Sequence, residues 1–381
     1  MFSLVLLILS ALAGTTVSAK SHGHGAMHRQ SQQGGTTKDD GTMKDACTFT
    51  DAASAIREKG SCRTITLNNI QVPAGRTLDL SKLQDNTHVI FSGRTTFGYA
   101  EWDGPLISVS GNSISVEGAP RHIIDCDGKR WWDNQGANGG KKKPKFFSAN
   151  SLHDSIIKSL YVVDTPAKAF SITSVKNLGI YDVTIDDSHG DGLGARNTDG
   201  FDISWSDGVY ISGAKVKNQD DCVAMNSGNN ITFIHGTCDH GHGISVGSVG
   251  GRPHNDVSDV RVLNSHVSKS ENGIRIKAVR GATGTVTNVL FDSITLSDIT
   301  LNGIIIQQDY KNDGSPGHAT GGVPISHVTV TNVVGTVKEG ANPVLIRCAK
   351  GACYHWSFSG NQITGSSNKP PHTGVPPEVE L

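Results

Sequence analysis

Short alternations of apolar and polar residues recur through the middle of the chain, and each opens with a small residue followed by an apolar one. Alternation over about four to eight residues is typical of a β-strand with one buried face. The opening apolar residue returns about every 21 to 31 positions, the length of one coil in a solenoid. The spacing therefore predicts coils stacked on one another. Their anchors are Phe170, Phe201, Val223, Ile244, Ile274 and Ile304.

Each predicted coil also contains a second alternating strand, found in residues 179–185, 208–211, 230–234 and 257–262. Strands separated by turns let inward Val, Ile and Phe side chains stack about 4.8 Å apart along the axis. The sequence thus predicts an all-β chain folded as a right-handed parallel β-helix. Residues 50–57 place a capping residue before helix formers, which predicts a short N-terminal capping helix over the open end of the core.

The N-terminus has the pattern of an export signal, an apolar run followed at residues 17–19 by the small-x-small order that signal peptidase accepts. We therefore expect residues 1–19 to be the signal peptide of a secreted, extracellular protein. Residues 20–45 are polar and Gly-rich, a composition that cannot bury a core, and are expected to be a disordered leader or pro-segment. Residues 46–381 are expected to form a single β-helix domain.

The composition agrees with many short strands and turns, because 45 of 381 residues are glycine and only 18% are charged. The formal net charge is -1, so a nucleic-acid partner would need a local basic patch that the overall balance does not reveal. Beyond the export signal, no stretch approaches the roughly 20 apolar residues of a membrane span. We expect a monomer without nucleic-acid or membrane partners.

The seven cysteines fit an exported protein that is held by disulfides. Six of them form pairs that lie close in the sequence, although sequence alone does not fix connectivity. Cys126 is left over and is expected to be a buried free thiol. The predicted disulfides are Cys47–Cys62, Cys222–Cys238 and Cys348–Cys353.

Acidic and imidazole side chains occupy one phase of successive coils. Asp199, Asp221 and His242 each stand two positions before an anchor, as does Asn272 on the next coil. Aspartates before strands often only cap turns, but a structural position in a solenoid would repeat one residue type. With Asp220 beside Asp221, three carboxyl groups come together, so at least one pKa is raised and one group stays protonated while another is ionised. Such a set can supply the acid and the base of glycoside hydrolysis.

Two cations lie on the outward face two coils beyond Asp221. Arg275 and Lys277 alternate with the inward Ile274 and Ile276. Surface cations are usually only solvated, but these two share the phase of the acidic cluster. A guanidinium can hold a carboxylate through two hydrogen bonds, so the pair suits an anionic substrate such as a galacturonate unit.

Four segments carry these residues, namely Asn197-Thr198-Asp199-Gly200-Phe201-Asp202, Gln219-Asp220-Asp221-Cys222, Gly241-His242-Gly243-Ile244-Ser245 and Arg275-Ile276-Lys277. In order and spacing they resemble the signature segments of polygalacturonases. The likeness extends to residues 130–133, 143–147 and 308–310, and so covers the chain from about Cys47 to Trp356. One segment is a weak indicator, whereas the four together are highly specific, and their details are similar to the fungal type.

The resemblance implies an inverting endopolygalacturonase that hydrolyses the α-1,4 bonds of galacturonan, the pectin backbone, without a cofactor or a metal. It implies that Asp220 is the general acid. Asp199 and Asp221 would hold and deprotonate the attacking water, while His242 would support the acid.

The resemblance also implies how the substrate is held. Arg275 and Lys277 would bind a substrate carboxylate at the cleavage point, and Asn197 and Tyr310 would add further contacts.

Three features depart from the family pattern. Asp239 and His240 precede Gly241 where small residues are more usual, and Cys126 stands where glycine is common. The Pro-rich tail, residues 369–381, lacks an expected pair of cysteines. The catalytic set is unaffected, but the tail leaves open how the last coil is closed.

Other functions remain open at this stage. A calcium-dependent pectate lyase could use the three aspartates to hold Ca²⁺, and a non-catalytic pectin binder could keep the same fold. Within the hydrolases, exo action or rhamnogalacturonan hydrolysis are alternatives. Asn230 begins the only glycosylation sequon, Asn-Ile-Thr, and is expected to carry the one N-glycan.

Overall fold

The structure is a computed structural model that describes residues 43–136, 139–315 and 317–381. The predicted signal peptide and most of the predicted leader lie outside the described residues. The described residues all fall within one compact unit. No helix in these three ranges is long and apolar enough to cross a membrane.

Short strands follow one another along this unit, with two helices, α1 (Ala52–Glu58) and α2 (Gly190–Leu193). The first strand begins at Lys44, two residues before the predicted start of the domain. The strands are β1 (Lys44–Phe49), β2 (Cys62–Asn68), β3 (Gln71–Val72), β4 (Leu78–Leu80), β5 (His88–Ser92), β6 (Arg94–Phe97), β7 (Ile107–Asn112), β8 (Ser115–Gly118), β9 (Ile123–Asp125), β10 (Phe147–Lys158), β11 (Tyr161–Val163), β12 (Phe170–Thr173), β13 (Lys176–Tyr181), β14 (Thr184–Asp186), β15 (Phe201–Ser204), β16 (Ser206–Ser212), β17 (Lys215–Asn218), β18 (Asp221–Met225), β19 (Gly228–Ile234), β20 (Thr237–His240), β21 (Gly243–Val249), β22 (Asp256–Leu263), β23 (His266–Ser268), β24 (Asn272–Val279), β25 (Thr285–Asp292), β26 (Thr295–Ile299), β27 (Asn302–Tyr310), β28 (Ile325–Thr331), β29 (Val334–Val337), β30 (Asn342–Arg347), β31 (Cys353–Tyr354), β32 (Ser357–Ser359) and β33 (Gln362–Thr364).

Each central coil contributes one strand to each of three parallel stacks, as β15, β16 and β17 do in a single coil. The first stack, called the first sheet here, runs β12-β15-β18-β21-β24-β27-β30. Its pairing places the six predicted anchors directly above one another. The chain is therefore a right-handed parallel β-helix, as the sequence predicts.

The prediction of two strands per coil was incomplete, because a third stack runs β11-β14-β17-β20-β23-β26-β29. Residues 179–185 were predicted as one strand, but β13 ends at Tyr181 and β14 begins at Thr184. The break lies at Asp182, whose φ of 51° is left-handed and turns the chain. Strands of the third stack bury as little as one side chain, such as Ile185 in β14, so alternation alone does not reveal them.

Apolar side chains stack along the axis inside the coils. The rings of Phe170 and Phe201, on neighbouring coils, have centroids 5.3 Å apart and are both fully buried. At the N-terminal end, the predicted helix α1 covers this core with Ala52 and Ala55. Asp51 caps α1 by accepting a hydrogen bond from the Ser54 amide at 2.8 Å.

The C-terminal tail covers the other end of the core, and so answers how the last coil is closed. Val375 and Val379 pack against the core. The Glu378 carboxylate accepts the Trp356 amide at 3.0 Å, and Trp356 itself is buried. Apolar contacts and hydrogen bonds thus hold the tail in place, where a further pair of cysteines was expected.

The three predicted disulfides are present, Cys47–Cys62, Cys222–Cys238 and Cys348–Cys353. Cys126 is the one free cysteine in the described part of the chain, and it is buried. Burial raises the pKa of its thiol well above the usual value, so this group is an apolar core residue rather than a reactive thiolate.

Asparagine side chains form a hydrogen-bonded ladder parallel to the axis. Asn302 donates from Nδ2 to Oδ1 of Asn272 at 2.8 Å, and Asn342 donates to Asn302 at 2.7 Å. Asn368 in the tail donates to Asn342 at 2.7 Å. At the opposite end, Asn272 donates to the backbone carbonyl of His242 at 3.3 Å. The ladder therefore links the C-terminal tail to the coil that carries His242.

Candidate active site

A cleft of about 770 Å³ lies over the outward face of the first sheet. Side chains that follow the inward anchors by one residue point into it, as strand alternation requires. All eight catalytic and substrate-binding side chains that the sequence indicates line this one cleft: Asn197, Asp199, Asp220, Asp221, His242, Arg275, Lys277 and Tyr310.

One detail of the predicted phase was wrong. The pairing of β18 with β21 shifts by one residue between Asp221 and Val223, so His242 lies beside Asp220 and donates its amide to the Asp220 carbonyl at 2.8 Å. Gly241 permits this approach, because its φ is 63° and a Cβ there would lie 2.2 Å from the Asp220 carbonyl oxygen. The irregularity brings the imidazole to the acid that it was expected to support.

Three donors surround the Asp220 carboxylate. Its Oδ2 accepts Asn197 Nδ2 at 2.7 Å, and its Oδ1 accepts the Asp221 amide at 2.7 Å and faces His242 Nδ1 at 3.0 Å. Burial raises the pKa of Asp220, but the hydrogen bond and charge of His242, together with Lys277, outweigh it and lower this pKa below the usual range. Burial lowers the pKa of His242, but Asp220 reverses this and raises it. The pair therefore holds a proton between carboxylate and imidazole.

Asp221 is held by the two cations. Lys277 Nζ lies 2.6 Å from its Oδ2, and Arg275 Nη2 lies 3.1 Å from its Oδ1. Ser245, which the sequence analysis missed, donates to the same Oδ1 at 2.7 Å. The cations can span the intervening strand because its outward positions are occupied by Ser245 and Gly247. Burial raises the pKa of Asp221, but Lys277 and Arg275 overcome this and lower it.

Tyr310 covers the same two cations. The centre of its ring is 5.2 Å from Lys277 Nζ and 5.9 Å from Arg275 Cζ, within the range of cation–π attraction. Arg275 and Lys277 both contact the Asp221 carboxylate. Together they form a cationic position in the cleft that suits an anionic group of a ligand.

Asp199 differs from its two neighbours. It is only 7% exposed, and its Oδ1 has no hydrogen-bond partner among the described residues. Burial, followed by the charge of Asp220, raises the pKa of Asp199 well above the usual value. Of the three carboxyl groups, Asp199 therefore keeps its proton to the highest pH, while Asp220 and Asp221 ionise more readily. The roles implied by the family resemblance require this proton to leave Asp199 before it acts as a base.

The cleft contains further polar residues that the sequence analysis missed. Asp202 is bonded by Lys168 Nζ and by Asn226 Nδ2. Glu271 Oε2 lies 3.6 Å from His242 Nε2. Lys168 stands two positions before its anchor, in the same phase as the acidic cluster, so the repeat contained the signal for it. Glu271 lies in a turn outside that phase, and no pattern in the sequence marks it.

The cluster of Asp220, Asp221 and His242 has ligand atoms within 4.8 Å of one another, which is close enough for a metal ion. Its charges point to a different use. Both oxygens of Asp221 already accept bonds from cations, with Lys277 Nζ at 2.6 Å. A divalent ion would have to displace an ammonium group from the carboxylate, so the cluster is better suited to protons and water than to a metal.

Comparison with known proteins gives a consistent picture. Residues 62–378 match glycosyl hydrolases family 28. The chain is 56% identical over 331 residues to endopolygalacturonase 1 of Colletotrichum lindemuthianum, covering 87% of this chain and 91% of the relative. It is 56% identical over 322 residues to endopolygalacturonase B of Aspergillus oryzae, covering 84% and 88%.

Among solved structures, the fold is similar to endopolygalacturonase I from Stereum purpureum in complex with two galacturonates. The TM-score is 0.73 at 34% identity, over 86% of this chain and 99% of the other. The family match, the sequence relatives and the shared fold agree with the geometry of the cleft, and this chain belongs to glycosyl hydrolases family 28.

Proposed function

We propose that the protein hydrolyses internal α-1,4 bonds of polygalacturonate, with Asp220 as proton donor and Asp199 and Asp221 as the groups that hold the attacking water. The observation that carries the proposal is the pairing of a three-carboxyl cluster with two cations, the buried Lys277 and the part-buried Arg275, in one cleft. The endopolygalacturonases to which the chain is similar support both the substrate and the endo action.

The cations explain the preference for an acidic sugar. Asp221 neutralises one of the two charges of Arg275 and Lys277, and a galacturonate carboxylate would neutralise the other. Tyr310 closes over the same position and would face the sugar ring. A bound carboxylate would thereby fix the ring of one galacturonate against the catalytic groups, which is the positioning that the reaction needs.

The distribution of protons among these groups supports the following reaction. In the active form, the Asp220–His242 pair holds one proton and Asp199 has lost its own. The proton of the pair moves from His242 Nδ1 to Asp220, and Asp220 passes it to the glycosidic oxygen as the bond from that oxygen to the anomeric carbon breaks. A water molecule between Asp199 and Asp221 attacks the anomeric carbon from the opposite face and gives its proton to Asp199, so the configuration inverts. The raised pKa of Asp199 makes its ionised form the stronger base.

The experiment follows the products of polygalacturonate by chain length and by the anomeric signal in NMR. We expect a rapid fall in viscosity, a ladder of oligomers and β-configured new reducing ends. Release of monomer alone would indicate exo action, and α-configured ends would refute inversion. An unsaturated product that disappears with EDTA would overturn the proposal in favour of a calcium-dependent lyase.

The proposal includes action outside the cell as a monomer. The three disulfides and the export signal predicted in residues 1–19 support it. N-terminal sequencing of protein from the culture medium tests the export, since retention of residue 1 would contradict it. Light scattering tests the oligomeric state, since a mass twice that of one chain would contradict the monomer.

A further inference from the structure

A second depression, of about 510 Å³, lies outside the catalytic cluster. One of its walls is aromatic: Trp205 stacks on His254 with ring centroids 4.3 Å apart and planes 12° from parallel. Trp205 remains 57% exposed, the largest exposed fraction of any tryptophan among the described residues. A broad indole face held in a fixed orientation and left in water is a ready surface for the apolar face of a ligand ring.

The floor of this depression is a row of polar side chains. Lys176, Asp207, Asn229 and Ser258 occupy paired positions on four successive strands of the second stack, β13, β16, β19 and β22. Asn229 Nδ2 donates to Asp207 at 3.1 Å, and Ser258 Oγ donates to Asn229 at 2.8 Å. The aromatic wall can pack against the apolar face of a pyranose ring, and the polar side chains of the floor can form hydrogen bonds with its hydroxyl groups.

The depression adjoins the catalytic cleft on the side where the strands of the first sheet end. Asn226 lines the cleft, and the next residue, Ser227, lines the depression and accepts a hydrogen bond from the Trp205 amide at its Oγ at 2.9 Å. Residues 250–252 line the cleft, and His254, two residues after Arg252, lines the depression. A polysaccharide that leaves the cleft over this rim would meet the indole.

The charges of the depression select the kind of ring. Asp207 and Asp256 face it against the single ammonium of Lys176. An ionised galacturonate would meet two carboxylates, whereas a neutral ring would not be repelled. The stronger cationic position, at Arg275 and Lys277, lies in the cleft instead.

From this arrangement we infer that Trp205 and His254 form an accessory subsite for a neutral pyranose ring of pectin, such as a methyl-esterified galacturonate. The inference rests on the proposed pectin hydrolysis. Such a subsite would add a preference for partly esterified pectin, because a substrate with few charges would gain a contact outside the catalytic cleft.

The test compares Trp205→Ala with Trp205→Phe on polygalacturonate and on partly methyl-esterified pectin. Trp205→Ala is expected to raise KM on the esterified substrate by about threefold or more, with kcat/KM on polygalacturonate unchanged. Trp205→Phe, which keeps an aromatic face, should restore most of the loss. Tyr161→Ala is the matched control, since Tyr161 is an exposed aromatic side chain on the third stack, and it should change neither value.

Asn230, beside Asn229 of the floor, provides the second source of a neutral ring, because a glycan on this chain could occupy the depression itself. Asn230→Gln should therefore leave the esterified-pectin KM unchanged. If Asn230→Gln reproduces the effect of Trp205→Ala, the ring belongs to the glycan and the pectin assignment is overturned. Equal losses on both substrates in Trp205→Ala also overturn it. Inactivity of the unaltered enzyme on polygalacturonate would instead refute the proposed function.

Discussion

Lys277 gives the sharpest test of the charge arrangement in the cleft. Its side chain is 6% exposed and its ammonium lies 2.6 Å from Asp221, which is itself 3% exposed. An exposed ion pair contributes at most about 1 kcal/mol, but removal of one partner of a buried pair costs about 3 to 5 kcal/mol, because the other charge is left without compensation. Arg275 and Ser245 still hold Asp221, so Lys277→Met should lower the free energy of unfolding by about 3 kcal/mol, the lower end of that range.

The pH dependence of this loss follows from the pKa of Asp221. Lys277 and Arg275 lower that pKa against the effect of burial. The stability it contributes is therefore present above the unfolded pKa of an aspartate and is lost as pH falls through the folded value. The difference between Lys277→Met and the unaltered protein should accordingly shrink towards acid pH, where Asp221 takes up a proton.

The assay is a double-mutant cycle of Lys277→Met and Asp221→Asn by urea unfolding. If the two side chains interact, the double variant will lose less than the sum of the single losses. Lys145→Met is the matched control, since Lys145 lies 3.3 Å from the neutral hydroxyl of Ser171. Additive losses would refute the ion pair. On polygalacturonate we expect Lys277→Met to lose more than about tenfold in kcat/KM, and a loss below fivefold would mean that Lys277 does not bind the substrate carboxylate.

Four shorter predictions address other parts of the chain. Asp220→Asn should keep the fold and lower kcat by at least about 10²-fold, and near-normal turnover would remove Asp220 from the mechanism. Activity should rise as pH rises through the elevated pKa of Asp199 and fall as pH passes the elevated pKa of His242, and a kcat/KM profile whose acid limb lies at the usual aspartate value would contradict this. Intact mass before and after glycosidase treatment should reveal one N-glycan, at Asn230, and no change in mass would disprove it. Glu378→Ala, which exposes the Trp356 end of the core, should lower the free energy of unfolding by about 1 kcal/mol in a urea titration, and an unchanged midpoint would show that the tail is not a cap.

The sequence predicted the fold because each coil repeats its anchor, and repetition identifies a solenoid even where single strands are ambiguous. It also placed Arg275 and Lys277 on the outward face, since strand alternation fixes the direction of a side chain once the anchor is known. It failed where geometry departs from the repeat. The one-residue shift beside His242 depends on a left-handed glycine in a turn, and no spacing of apolar residues reports a turn of that kind.

Side-chain contacts between elements far apart in the sequence could not be predicted from the sequence either. The bond of Ser245 to Asp221 depends on the rotamers of two side chains on neighbouring strands. The distribution of protons among the three aspartates depends on burial and on which oxygen each donor reaches. The sequence shows that the three carboxyl groups are present, and only their arrangement decides that the pKa of Asp199 is the one that is raised.

The asparagine ladder has a consequence for how the chain finds its alignment. Every amide in it donates towards the N-terminal end, so the small dipoles add and reversal of one amide would disrupt both of its neighbours. A slip of one residue would bring Gly273, Gly303 and Pro343 into these positions, and none of them has a side-chain donor. The ladder thus favours the correct register of each added coil, because its hydrogen bonds form only when an asparagine of the new coil pairs with the asparagine of the coil before it. A coil added by duplication would need an asparagine at the same position for the ladder to continue through it.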